Sequence, residues 1–159
     1  MEMELSRRGF VAATAVTVAC ACCGMAEEAL AREPAAPAFT GVLDAGPAKD
    51  IAEGITATYA KSHNIMIVRV GDTMHSTVAT CTHRSCKLKA NDVKPTGQEF
   101  RCSCHGSRFS LEGALLKGPA KVSLARYAVS IQDGKLLVDA SKKFAQDQWS
   151  DPSTTAKLA

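Results

Sequence analysis

"CSCHGS", Cys102 to Ser107, crowds two cysteines, a histidine and a glycine into six residues. Its reading decides the fold, because ligands packed this densely serve a metal, a disulfide or both. Covalent haem needs two residues between its cysteines; only Ser103 separates Cys102 from Cys104, so haem c is excluded. Upstream, "CTHRSC" (81–86) supplies a matching group. Taken as ligands, the two stretches give Cys81-x-His83, then residues 84–101, then Cys102-x-x-His105. Structural zinc accepts two Cys and two His, but it leaves Cys86 and Cys104 unexplained.

The flanking sequence is β-like. "GITATYA" (54–60), "NIMIVRV" (64–70) and "HSTVATC" (75–81) are short runs rich in β-branched and apolar residues, with Gly71-Asp72 as a turn between the last two. "QEFRCSC" (98–104) follows a Thr96-Gly97 turn signal. "YAVSIQDGKLLVDA" (127–140) predicts a hairpin turning at Asp133-Gly134. Only 45–53 suggests a short helix. His63 and His75 sit away from the motifs and read as surface residues. Ser141 to Ala159 is polar, holds the only tryptophan, Trp149, and reads as a tail lying on the domain or disordered. The expectation is a small antiparallel β domain with its special residues in two loops.

The two loops resemble those of the Rieske iron–sulfur family, C-T-H-x-G-C and C-P-C-H-G-S. The resemblance spans roughly 54–140 and accounts for all four cysteines after residue 31. It implies an all-β Rieske fold: an antiparallel β-sandwich with a small cluster-binding subdomain formed by the two ligand loops. It implies one [2Fe–2S] cluster, with Cys81 and Cys102 on one iron and His83 and His105 on the other. Cys86 and Cys104 would form a disulfide tying the loops together, worth ~3 kcal/mol by loop-closure entropy. Gly118-Pro119-Ala120 resembles the loop that covers the cluster, and Leu124 and the following hairpin keep the family's order. With neutral imidazoles the oxidised centre is neutral, whereas an all-cysteine centre is doubly negative. Its potential is therefore raised, to roughly −150 to +300 mV. Reduction raises the imidazole pKa values, which suits the centre to taking an electron with a proton.

Departures from the family pattern bear on tuning and partner. Ser107 matches the serine whose hydroxyl donates to a cluster sulfide. Two residues on, high-potential members have a tyrosine; here it is Phe109, so one donor is missing and a lower potential is expected. Arg84 replaces a usual leucine, Ser85 a glycine and Ser103 a proline. Between 81 and 121, eight Lys/Arg (84, 87, 89, 94, 101, 108, 117, 121) stand against three acids (92, 99, 112). That surplus fits a basic docking tip for an acidic partner. Arg84 near the cluster would favour its reduced form, partly offsetting Phe109.

The start of the chain reads as an export signal. Arg7-Arg8 precedes a weakly apolar run from Phe10 to about Ala26 and a small-residue site, Ala29-Leu30-Ala31. "SRRGFV" resembles the twin-arginine motif, which implies export of a folded protein. Cleavage after Ala31 is the favoured outcome, with an uncleaved membrane anchor as its rival; a poor lipobox before Cys20 argues against lipidation. The domain plan is thus signal or anchor (1–31), Pro/Ala linker (32–38), Rieske domain (39–140) and tail (141–159). An apolar content of 46% argues against disorder, and 5% aromatics against a nucleic-acid platform.

Together these features predict a periplasmic, soluble or membrane-anchored single-electron carrier. It would serve as an electron-transfer subunit, not a stand-alone enzyme, and has no catalytic residue of its own. The favoured role is the iron–sulfur subunit of a quinol-oxidising cytochrome bc-type complex, with a cytochrome b or c subunit and quinol as partners. The alternatives are the small subunit of a periplasmic molybdenum enzyme of the arsenite-oxidase type, or a free periplasmic carrier.

Overall fold

A computed structural model of the chain describes residues 39–88 and 99–158. The signal and linker expected over 1–38, and Lys89 and Lys94 of the basic surplus, lie outside the described residues.

Among the described residues the regular structure is ten β-strands and three short 3₁₀ turns. The strands are β1 (Val42–Pro47), β2 (Gly54–Thr56), β3 (Ile65–Val70), β4 (Thr73–Val78), β5 (Glu99–Arg101), β6 (Arg108–Ser110), β7 (Leu115–Lys117), β8 (Arg126–Gln132), β9 (Lys135–Phe144) and β10 (Thr155–Lys157). Seven form a base sheet in the order β1-β9-β8-β4-β3-β2, with β10 also paired to β4. The other three form a small sheet, β5-β6-β7. Among the described residues these strands pair antiparallel throughout.

The two base hairpins follow from their turn residues. Asp133 (φ 50°) and Gly134 (φ 73°) both have positive φ, as a two-residue type I′ turn requires, and they join β8 to β9. Gly71 (φ 59°) supplies the positive φ between β3 and β4. β3 begins "IMIV", and all four residues are buried, so this strand is covered on both faces. The core gathers Ile65, Met66, Ile67, Val68, Met74, Leu124, Tyr127, Leu136 and Val138, with Phe100 and Phe109 from the small sheet. Each fully buried apolar side chain contributes roughly 1.5–3 kcal/mol.

Several segments differ from the sequence reading. In the 45–53 stretch residues 45–47 end β1, and the only helical turn is the 3₁₀ turn Ala48–Asp50. His75 is not a surface residue. It is 4% exposed, because β4 is covered on both faces, and its Nε2 lies 3.1 Å from the carbonyl of Leu111. Residues 141–144 complete β9, and β10 pairs Thr155 with His75 and Lys157 with Thr73. β8 pairs with the next residues of β4, Ser76 and Thr77, so β8 and β10 occupy successive parts of it. The Arg126 guanidinium lies 4.2 Å from the centre of the Trp149 ring and donates to the carbonyl of Glu112.

Candidate metal centre

The ligand loops hang from different sheets but repeat one hydrogen-bond pattern. In the first, Cys81 N–H donates to the carbonyl of Cys86 (2.8 Å) and Ser85 N–H to that of Cys81 (3.0 Å). In the second, Cys102 N–H donates to the carbonyl of Ser107 (2.8 Å) and Gly106 N–H to that of Cys102 (2.9 Å). Each loop is six residues long, bonded first to sixth and fifth to first. The fifth residue is left-handed in both, Ser85 at φ 57° and Gly106 at φ 75°.

The loops have firm footings. The first springs from β4, and its ends meet in the Thr80–Lys87 bridge. The second joins β5 to β6, where Phe100 pairs with Phe109 and Arg101 with Arg108. Like charges opposite one another are unfavourable. Glu99, 5% exposed, binds Arg108 through both carboxylate oxygens and offsets this.

The expected site residues meet in pairs. Cys86 and Cys104 form a disulfide across the loops, with Cα atoms 6.6 Å apart. Cys81 and Cys102 are free and buried, and their thiols lie within hydrogen-bonding reach of each other. Burial, and then the neighbouring Cys102, push the Cys81 thiol pKa up, while the backbone N–H of His83 and the Ser107 hydroxyl pull it down. The His83 and His105 rings meet edge to face, 4.7 Å between centroids. Desolvation, then the charges of His105 and Arg84, hold the His83 pKa below its ordinary value. The Sγ atoms of Cys86, Cys102 and Cys104 also lie within 4.8 Å of one another. Two of those sulfurs are spent in the disulfide, so of this trio only Cys102 is left as a thiolate donor.

The remaining residues frame this core. Ser107 is buried, and its Oγ accepts the Ala120 N–H at 3.0 Å, which links the second ligand loop to the cover loop. Gly118 and Pro119 are exposed and joined by a cis peptide bond, whereas Ala120 is buried. Phe109 is fully buried as a core aromatic. Arg84, Lys87, Lys117 and Lys121 are exposed, as are the apolar Leu116 (55%) and Val122 (60%) on either side of the cover loop. The sequence reading missed Asn64, which bonds to both Thr80 and Lys87. A lone asparagine just ahead of an apolar strand was the available signal.

The donor set fits an iron–sulfur centre on this structure's own terms. Two buried thiols and two adjoining imidazoles are soft S and N donors. The Nδ1 of His83 is buried without a hydrogen-bond partner, which is costly unless another group meets it.

The comparisons agree with that chemistry. Residues 41–128, more than half of the chain, match the family model described as the Rieske [2Fe-2S] domain. The cytochrome b6-f complex iron-sulfur subunit of Chlorobaculum tepidum is 30% identical over 97 residues, covering 60% of this chain and 52% of that protein. The chloroplastic cytochrome b6-f complex iron-sulfur subunit 1 of Nicotiana tabacum is 35% identical over 75 residues, covering 45% of this chain and 32% of that protein. The chain thus matches about half or less of the length of these relatives. Among solved structures, a chain from the complex of reduced oxygenase and oxidized ferredoxin in carbazole 1,9a-dioxygenase is similar in fold. Its TM-score is 0.52 at 23% identity, covering 68% of this chain and all of that one. Strand order, paired ligand loops, inter-loop disulfide and matched residues converge: the chain belongs to the Rieske [2Fe–2S] domain family.

Proposed function

We propose that this protein carries single electrons as the iron–sulfur subunit of a quinol-oxidising cytochrome bc-type complex. Cys81, His83, Cys102 and His105 hold its cluster. The observation that carries this reading is the meeting of two free buried thiols with two facing imidazoles under an inter-loop disulfide. Similarity to cytochrome b6-f iron–sulfur subunits supports the choice of complex. The family's cluster supplies a one-electron couple whose potential is raised by two imidazoles in place of thiolates.

The chain's own residues do the rest. Burial raises the Cys81 thiol pKa, so holding metal there as a thiolate means giving up its proton. The Nδ1 of His83 points into the protein while the residue as a whole is half-exposed. Its Nε2 is the atom left to take a quinol proton, and His105, an exposed residue, offers a second imidazole. The disulfide and the Ser107–Ala120 bond hold ligand and cover loops together around the buried Cys81 and Cys102. Leu116, Pro119 and Val122 give the partner an apolar contact in and beside the cover loop, where the Val122 carbonyl accepts from Thr82, the neighbour of His83.

Function at the periplasmic face of the inner membrane, after twin-arginine export, is part of the same reading. Among the described residues no helix is long and apolar enough to cross a membrane. A second reading, the small subunit of a periplasmic molybdenum oxidoreductase, is favoured by one observation: exposed Arg84, in the family's leucine position, lies close enough to His83 to depress its pKa.

The test is electron paramagnetic resonance and quinol reduction on native membranes. The reduced sample should show a Rieske spectrum with equal iron and acid-labile sulfide. Added quinol should reduce the centre in wild type, and Cys81→Ser should abolish the signal. A centre that stays oxidised with quinol but is reduced by a molybdenum enzyme would overturn the first reading for the second. Zinc in place of iron would overturn both.

A further inference from the structure

Asn64 stands immediately before β3 with left-handed backbone, φ 61°. Asparagine tolerates that conformation better than most residues, but glycine would adopt it more easily. The backbone alone therefore does not explain an asparagine here; its partners do. Its carbonyl accepts the Ala79 N–H at 2.9 Å. Its Oδ1 accepts from the Thr80 hydroxyl and, at 3.0 Å, from the Lys87 ammonium. Its side chain also lies close enough to the Tyr127 hydroxyl, in β8 of the base sheet, to favour that group's ionised form, and Tyr127 is 1% exposed.

Thr80 directly precedes Cys81, and Lys87 directly follows Cys86. These two are the bridge pair that closes the first ligand loop. One carboxamide thus fastens both ends of the loop, beside a buried tyrosine of the base sheet. The bond to Lys87 is charge-assisted and therefore among the stronger kind.

We propose that Asn64 is a positioning residue for the iron–sulfur site: its carboxamide sets the neck of loop 81–86, and through it the placement of Cys81 and His83 against the second loop. The inference rests on the ligand assignment under Proposed function. It extends that assignment to a residue that touches neither the thiols nor the imidazoles.

The test uses the full chain loaded with its cluster. Asn64→Gly keeps the left-handed backbone and deletes the carboxamide; Asn64→Asp keeps the acceptor for Thr80 and Lys87. In the glycine variant the Cys81 and Leu88 amides, which bond across the neck, should exchange about ten-fold faster or more. Val129 and Val138 in the β8–β9 hairpin should exchange as in wild type. The paramagnetic resonance spectrum of the reduced glycine variant should shift or broaden, and the aspartate variant should restore both readouts. The proposal is overturned if neck exchange and spectrum match wild type. It is equally overturned if exchange rises uniformly across the hairpin, since that marks a general loss of stability. If wild type gives no Rieske spectrum, the ligand assignment fails, and the exchange comparison still decides whether Asn64 holds the neck.

Discussion

Ser85 and Gly106 occupy equivalent fifth positions in the two ligand loops, both left-handed, at φ 57° and 75°. A glycine adopts that backbone freely, whereas a side chain costs roughly 1–2 kcal/mol. The usual glycine at position 85 therefore has a backbone reason. Ser85→Gly should raise stability by about 1 kcal/mol, read as a higher denaturant midpoint. Gly106→Ala should lower it by about 1–2 kcal/mol through backbone strain, since an added Cβ at Gly106 meets nothing within 4 Å. Equal midpoints for wild type and Ser85→Gly would show that the serine bears no strain.

Ser107 has two duties, accepting from Ala120 and bonding to the Cys81 sulfur. Ser107→Ala leaves a buried N–H without a partner, at a cost of about 1–3 kcal/mol. It also removes a donor to a sulfur that is charged when metal-bound, worth ~1.5–3 kcal/mol. For one electron that corresponds to a potential lower by on the order of 60–130 mV. A redox titration matching wild type would dissociate the serine from tuning.

Phe109 lies opposite Phe100 in β6, fully buried. If its missing hydroxyl is what separates this protein from high-potential members, Phe109→Tyr should raise the potential by on the order of 60–130 mV. The titration is run beside thermal unfolding. A drop in stability without a rise in potential would mean that the hydroxyl finds no acceptor, and Phe109 would then be a core residue only.

His75 makes stability depend on pH. Desolvation, then the nearby Arg126 charge, lowers its pKa from 6.5 to about 4, with the Leu111 carbonyl opposing. Between those values the unfolded chain binds more protons than the folded one. The stability associated with the neutral ring is full above about pH 6.5 and falls as pH drops toward about 4, by about 3 kcal/mol in all. Denaturant unfolding from pH 7 to 4 should show that slope, and His75→Gln should flatten it. An unchanged slope in the variant would assign the effect to other groups.

The ligand loops and both base hairpins were legible because their signals are local. Cys and His recur at fixed spacing, and Asp133-Gly134 has the backbone preference its turn demands. The small sheet was harder, since three-residue strands such as Arg108–Ser110 are too short to display a period. His75 was misread because "HST" looks polar, yet its strand is covered on one side by the base core and on the other by the β6–β7 turn. β10 was illegible for a related reason. "TAK" becomes a strand only because part of β4 lies open beside it. Asn64 matters through partners far along the chain, at Thr80 and Lys87, and no local pattern encodes those.

The base sheet ends on β1 at one rim and β2 at the other. β1 breaks register before Pro47, which has no N–H to offer, and β2 is only three residues long. Neither rim presents the long, regular row of free backbone groups that invites strand addition from another chain. The described fold thus discourages polymerisation at its flanks and leaves recognition to its loops, where His105 is exposed and His83 partly so.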